Sequence, residues 1–146
     1  MSQSDHAAKT NWTLLFLCWI LVSVSTTISL FFSSVLEFEP CVLCWYQRIC
    51  LFPLILILAA GLFPTFDKSV VKFALPLAIV GGLTAFYHTL LYGGIIPESI
   101  QPCSKGVSCT EKYIELFGFV SIPMLSFLAF SAIITILLIL KKRTSK

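Results

Sequence analysis

Four long runs of apolar residues constrain the fold more than any other feature of the sequence. They cover residues 12–36, 41–63, 70–92 and 118–140. Each run is long enough to cross the hydrocarbon core of a bilayer, which takes about 20 residues in a helix. Hydrophobic residues form 58% of the 146-residue chain and charged residues only 12%, too apolar a composition for a water-soluble domain. The sequence therefore predicts an all-α membrane protein, a single four-transmembrane-helix bundle over residues 1–146.

The basic residues predict how this bundle is oriented. An even number of spans places both termini on one side of the membrane. Seven of the ten Lys and Arg residues fall on that side, namely Lys9, Lys68, Lys72, Lys141, Lys142, Arg143 and Lys146. Because positive residues concentrate on the cytoplasmic side, both termini are predicted to be cytoplasmic. No basic stretch interleaved with aromatic residues lies outside the apolar runs, so a nucleic-acid partner is not expected.

One sizeable loop, residues 93–117, separates the third and fourth runs. Its second half, residues 111–117, has apolar residues at 113, 114, 116 and 117 and charges at 111, 112 and 115. This pattern suits a short interfacial helix on the membrane surface, and a plain loop is the equal alternative. The loop is predicted to lie on the outer side.

Four cysteines fall on the predicted outer side, where disulfides persist. Cys41 and Cys44 form a Cys-x-x-Cys motif at the start of the second run, and Cys103 and Cys109 lie in the loop. The start of a helix favours thiolate over thiol, and the thiolate is the form that attacks disulfides. Arg48 lies one turn beyond Cys44 on the same face, so we expect the Cys44 thiolate to gain from its charge.

The cysteine pattern alone leaves alternatives open. Four cysteines allow three disulfide pairings, and the spacing does not choose among them. Two static disulfide staples are one alternative to redox chemistry, but a Cys-x-x-Cys loop is too short to stabilise a fold strongly. A zinc site made of all four thiols is another, although the wider spacing of Cys103 and Cys109 does not match the usual half-site, so no metal is expected. Two further cysteines, Cys18 and Cys50, receive no role.

Arg48 and His88 are the ionisable residues that fall within runs near the outer face. A helical hairpin places them at similar depth, since each lies about one turn from the outer end of its span. Charged groups within spans usually face a functional cavity. The alternative is that Arg48 extends to the interface and His88 bonds a nearby carbonyl.

The order of these elements resembles the disulfide bond formation protein B (DsbB) family of bacterial membrane thiol oxidases. The resemblance covers nearly the whole chain. It depends on the four runs, on His88, on Cys41-Val42-Leu43-Cys44-Trp45-Tyr46-Gln47-Arg48, and on Pro102-Cys103-Ser104-Lys105-Gly106-Val107-Ser108-Cys109. The short second cysteine loop is most similar to the Gram-positive, BdbC-like branch. The vitamin K epoxide reductase family has its two cysteine pairs in the reverse order.

This resemblance implies a dithiol:quinone oxidoreductase of the bacterial cytoplasmic membrane that supports disulfide formation in exported proteins. The Cys103–Cys109 disulfide is implied to oxidise a thioredoxin-like extracytoplasmic thiol oxidase. The Cys41 and Cys44 pair then reoxidises the loop pair and passes the electrons to membrane quinone, either menaquinone or ubiquinone, and so to the respiratory chain.

The resemblance also implies that Arg48 and His88 lie at the quinone site. A membrane protein of structural or assembly function, stapled by the same cysteines, is the competing hypothesis from a different class.

Overall fold

The computed structural model describes residues 3–35, 37, 40–97, 100, 115–116 and 120–145. The described chain contains four helices and one two-stranded ladder. The helices are α1 (Gln3–Ser34), α2 (Val42–Leu62), α3 (Val70–Tyr92) and α4 (Ile122–Thr144), and the strands are β1 (Glu115–Leu116) and β2 (Val120–Ser121). Cys103 and Cys109 lie outside the described residues.

All four helices are long and apolar enough to cross a membrane. The predicted all-α four-helix membrane fold is therefore confirmed. The first candidate span is Asp5–Ser34, and the other three coincide with α2, α3 and α4. The protein is a multi-pass membrane protein.

Two helices differ in their bounds from the predicted spans. Helix α1 starts at Gln3 because the polar segment before residue 12 continues the helix. Helix α4 starts and ends later than 118–140. Ser121 is its extended N-cap, and Pro123, which needs no hydrogen-bonded N–H, fits its first turn. Its last turn includes Lys141, Lys142 and Arg143, good helix formers that also complement the negative end of the helix dipole.

The two short strands precede α4. Glu115 pairs with Ser121 and Leu116 with Val120 in an antiparallel register. The interfacial helix predicted over 111–117 is not confirmed, because these two described residues of the segment are extended and the others lie outside the described residues.

A hydrogen bond between the first and last helices places both of their terminal ends at one end of the bundle. Nε of Arg143, in α4, donates to Oδ1 of Asn11, in α1, at 3.1 Å. The start of α2, with its cysteine pair, follows the other end of α1. The cysteine pair and the termini therefore lie at opposite ends of the bundle.

The core between the helices consists mainly of aliphatic side chains and one aromatic ring. Members with no exposed surface include Leu15, Val22, Leu54, Leu58, Ile133 and Leu137, and Phe130 of α4 joins them. Cys18 and Cys50 belong to the same core and are free thiols. Both therefore pack as small hydrophobic residues, as is usual for buried cysteine.

Glycines let α3 approach its neighbours closely at residues 81 and 82. A Cβ atom built on Gly81 would overlap the ring of Phe130 and lie 3.1 Å from Cβ of Cys50. At Gly82 the nearest atom to such a Cβ would be Cδ1 of Ile134, at 3.0 Å. The Gly-Gly pair thus permits a close helix crossing, which brings α2, α3 and α4 together.

We expect Gly81→Ala to lower the free energy of unfolding by about 1–3 kcal/mol, as overpacking of a tight core does. Gly82→Ala is the matched control. Its new methyl group meets the end of the flexible Ile134 side chain and lies in ordinary contact with Cβ of Phe130, at 3.6 Å, and alanine gains about 0.5–1 kcal/mol of helix propensity. Thermal unfolding of both variants in the same detergent measures the difference. Equal unfolding midpoints for Gly81→Ala and the unsubstituted protein would contradict this account of the crossing.

Candidate redox site at the start of helix α2

Two thiols lie within hydrogen-bonding distance of each other where α2 begins. The sulfur atoms of Cys41 and Cys44 are 3.0 Å apart, and both thiols are free. Cys41 is buried, whereas Cys44 is half-buried. A short movement of the two side chains is therefore enough to form or open a disulfide between them.

The backbone explains why this position suits a thiolate. Cys41 is the N-cap of α2 with extended backbone angles, and its carbonyl accepts the N–H of Trp45 at 3.1 Å. No side chain caps this helix end, so the first N–H groups of α2 and the positive end of its dipole favour a negative charge nearby.

His88 of α3 brings a ring nitrogen to the buried thiol. Its Nε2 lies 3.8 Å from Sγ of Cys41. The hydrogen bond between the two thiols, together with the contact to His88, holds the pKa of Cys41, which precedes the membrane-spanning part of α2, below the value of an ordinary thiol. The sequence led us to expect Arg48 to stabilise a Cys44 thiolate, whereas in the structure the thiol with stabilising partners is Cys41.

Gln47 fixes the other side of the His88 ring. Its Nε2 is 3.2 Å from Nδ1 of His88, and both side chains are buried. In this arrangement the amide donates to Nδ1, so the ring proton is on Nε2 and points to Cys41. Sequence reasoning missed Gln47. The available signal was an uncharged polar residue inside an apolar run, next to the arginine.

Arg48 binds helix α1. Its Nε donates to Oγ of Ser29 at 2.9 Å, and Nη2 donates to the Ser29 carbonyl oxygen. The guanidinium carbon also lies 5.6 Å from the centre of the Trp45 ring, within reach of a cation–π contact. Arg48 is 6% exposed, so its guanidinium is held inside the protein and does not extend to the interface. The cavity hypothesis for Arg48 therefore fits the structure better than the interfacial one.

A cavity of about 480 Å³ lies beside these residues and is lined by side chains of all four helices. Most of its wall is apolar, with side chains such as Val24, Ile28 and Leu128. The polar side chains in the wall come from all four helices and from the N-cap of α2: Ser25, Ser29, Ser33, Cys41, Cys44, Gln47, Arg48, His88, Tyr92 and Ser126. Such a mixture is typical of sites that bind a mainly apolar small molecule with a few polar atoms.

The structure thus brings four of the six predicted site residues to one cavity, namely Cys41, Cys44, Arg48 and His88. The other two, Cys103 and Cys109, lie outside the described residues. Ser29 is a second residue that sequence reasoning missed, since nothing distinguishes it from the other serines of α1.

Comparison with known proteins identifies the family. The sequence profile described as "Disulfide bond formation protein DsbB" matches residues 9–140. The chain belongs to the DsbB family.

Relatives within the family match nearly full length. A "Probable disulfide formation protein" of Metapseudomonas resinovorans is 45% identical over 136 residues, which cover 92% of this chain and 94% of the relative. "Disulfide bond formation protein C" of Bacillus subtilis is 39% identical over 138 residues, covering 94% and 99%. A "Probable disulfide formation protein C 2" of Bacillus cereus is 42% identical over 130 residues, covering 89% and 92%. No solved structure matches the chain significantly.

Membership of the DsbB family makes this chain a membrane disulfide oxidoreductase that forms disulfide bonds. The recognised resemblance, including its BdbC-like branch, is confirmed.

The bond between Arg48 and Ser29 gives a direct stability prediction. Ser29→Ala removes one acceptor from a buried cation, so the free energy of unfolding should fall by about 1.5–3 kcal/mol, the range for hydrogen bonds to charged groups. Ser25→Ala is the matched control, because Ser25 lies one turn earlier in α1 and lines the same cavity. Thermal unfolding in detergent compares them, and equal losses in the two variants would argue against the Arg48 bond as the cause.

Proposed function

We propose that this DsbB-family protein reoxidises a thioredoxin-like extracytoplasmic thiol oxidase and delivers the electrons to membrane quinone. The observation that carries the proposal is the position of the Cys41 and Cys44 thiols, 3.0 Å apart on the wall of an apolar cavity that also contains Arg48 and His88. A thiol pair there can exchange with another disulfide and also meet a lipid-soluble electron acceptor.

The electrons enter by two thiol–disulfide exchanges. In the first, a thiolate of the reduced partner attacks the Cys103–Cys109 disulfide, forming a mixed disulfide, and the partner's second thiolate releases it. The partner leaves as a disulfide and the loop pair as two thiols. In the second, the loop thiols attack the Cys41–Cys44 disulfide in the same way. Each exchange moves two electrons and leaves the number of disulfides unchanged.

Burial limits the second exchange. Cys41 packs with Leu43 and Leu91 and against Tyr87 and Ile96, and it is 7% exposed. A loop thiolate reaches its sulfur only if this outer cluster opens locally. We therefore propose that Cys41 exchanges with the loop pair when the cluster opens, while the half-buried Cys44 faces the cavity.

The cavity suits a quinone ring in both size and chemistry. Its volume of about 480 Å³ lies within the range of small-molecule sites, about 300–1,000 Å³. Tyr92 lines it, and its hydroxyl is buried without a hydrogen-bond partner among the described residues, so a carbonyl group within its reach would satisfy it. A bound quinone supplies an acceptor for two electrons and two protons.

Arg48 and His88 have separate proposed tasks at this site. Two of the five guanidinium N–H groups of Arg48 bind Ser29, which leaves three in the planar fork to stabilise negative charge in the cavity. His88 holds a proton on Nε2 beside the sulfur of Cys41 and stabilises the thiolate that remains when Cys44 reacts. Both act on charge in a region of low polarity, where such interactions are strong.

The cellular arrangement completes the proposal. The cysteine end of the bundle is proposed to face the exported side of the bacterial cytoplasmic membrane, with both termini in the cytoplasm, in accord with the basic residues of the tail. The partner oxidase then meets the loop pair in a compartment where disulfides persist.

Substitutions in the loop pair test the order of the two exchanges. We expect Cys103→Ser and Cys109→Ser to abolish oxidation of a dithiol protein but to retain quinone reduction by dithiothreitol, since a small dithiol reaches Cys44 through the cavity. Purified protein assayed anaerobically with each donor separates the two activities. Equal loss of both activities would mean that the loop pair is structural. Thiol trapping in cells gives a second test: if it finds all four cysteines uniformly oxidised, the stapled structural protein is supported instead.

Arg48 variants test the charge in the cavity. Arg48→Lys keeps the charge without the planar fork and should retain part of the activity. Arg48→Met should raise the apparent KM for quinone about tenfold or more, the equivalent of losing a charge-assisted hydrogen bond of about 1.5–3 kcal/mol. Steady-state kinetics over a quinone series measure both. Ser25→Ala, in the same cavity wall, is the control, and unchanged kinetics in Arg48→Met would exclude the proposed role.

A further inference from the structure

Three potential metal ligands meet at the wall of the cavity. Sγ of Cys41, Sγ of Cys44 and a ring nitrogen of His88 all lie within 4.8 Å of one another. We propose that the reduced protein binds a thiophilic d¹⁰ cation, Zn²⁺ or one of similar chemistry, through these three atoms. This site differs from the four-thiol zinc site considered from the sequence, because its third ligand is an imidazole from α3.

The distances already approach those of a zinc centre. With Zn–S bonds of about 2.3 Å and Zn–N bonds of about 2.0 Å, tetrahedral ligands lie about 3.8 Å apart for two sulfurs and about 3.5 Å for sulfur and nitrogen. The observed separations are 3.0 Å between the sulfurs and 3.8 Å between Sγ of Cys41 and Nε2 of His88. Small side-chain rotations therefore suffice to form the chelate.

Gln47 supplies the support that a metal-bound histidine needs. Such a histidine usually has its second ring nitrogen held by an acceptor, which orients the ring. The Gln47 amide lies 3.2 Å from Nδ1 of His88, and a half-turn about its last side-chain bond replaces the NH₂ group by the carbonyl oxygen. The oxygen then accepts the proton of Nδ1 and Nε2 binds the cation. A glutamine, unlike a leucine, supports both tautomers.

The charges and the open space also suit a cation. Two thiolates neutralise a divalent ion, and the cavity beside all three ligands leaves room for a water as fourth ligand. Arg48 lines the same cavity and its positive charge opposes the ion, a cost that the negative charge of the two thiolates offsets.

Metal binding at these atoms is linked to the redox state. The disulfide form has no thiolate to offer, whereas the dithiol form loses its two thiol protons when it binds the ion. A cation that holds both sulfurs prevents them from forming a disulfide. This consequence rests on the proposed function and makes Zn²⁺ an inhibitor that traps the reduced enzyme.

Direct binding tests the site without any activity assay. The Cys103→Ser, Cys109→Ser protein is reduced and titrated anaerobically with Co²⁺, whose thiolate charge-transfer absorption reports cysteine ligands, and Zn²⁺ then displaces the cobalt. We expect one ion per reduced chain and no thiolate absorption in the oxidised chain. Substitution of His88 by Leu or Gln should weaken Zn²⁺ binding about tenfold or more, and Gln47→Leu about tenfold.

The controls separate this site from adventitious binding. His6→Gln changes the exposed second histidine of the chain, and Cys50→Ala changes a core thiol, so both should keep the parent affinity. Helix content by circular dichroism shows that each variant is folded, and Gln47→Leu carries the test should the His88 variants not fold.

Parent affinity in the folded His88 variants, or in Gln47→Leu, would overturn the three-ligand site, as would equal binding by the oxidised protein. Neither quinone nor a partner protein is present in this titration. Absence of metal binding would therefore not count against the proposed electron route, and failure to reduce quinone would not count against metal binding.

Discussion

A positive charge held inside the membrane-spanning region is the constraint on which the rest of this site depends. Arg48 lies six residues into α2, about 9 Å along the helix, where a charge costs about 2.5–3.5 kcal/mol on insertion scales. The hydroxyl and the carbonyl of Ser29 accept hydrogen bonds from two N–H groups of Arg48, and the Trp45 ring lies beside the guanidinium. This pairing ties α2 to α1 at the end of the bundle that carries the cysteine pair, and Arg48 also lines the cavity.

A pair of polar side chains, Gln47 and His88, lies on the other side of the cysteine pair. Gln47 and His88 are buried and bonded to each other, and His88 faces the thiol of Cys41. The two cysteines thus occupy different surroundings, although they lie one helical turn apart. Both line the cavity, but Cys41 is buried with an imidazole beside it, whereas Cys44 is half-buried. This asymmetry is what an electron carrier requires if one sulfur is to serve the donor and the other the acceptor.

The sequence predicted much of the fold because the length of an apolar run is a local property. Four such runs were enough to predict four helices. The start of α4 was placed too early, since the apolar pattern does not reveal that residues 120–121 are extended. At the site, Cys41, Cys44, Arg48 and His88 were predicted to lie together. The bonds of Arg48 to Ser29 and of Gln47 to His88 were not, because they depend on how each helix is rotated about its axis, and the hydropathy of a run contains no such information.

The bond between Arg48 and Ser29 also has a consequence for how the protein is made. The ribosome synthesises α1 before α2, so the acceptors for the guanidinium are already in the bilayer when the arginine emerges. The backbone carbonyl of Ser29 contributes to the bond, and every residue type offers that acceptor. The first two helices can therefore enter the membrane as a hairpin in which the earlier helix solvates the charge of the later one, before α3 and α4 exist to enclose it.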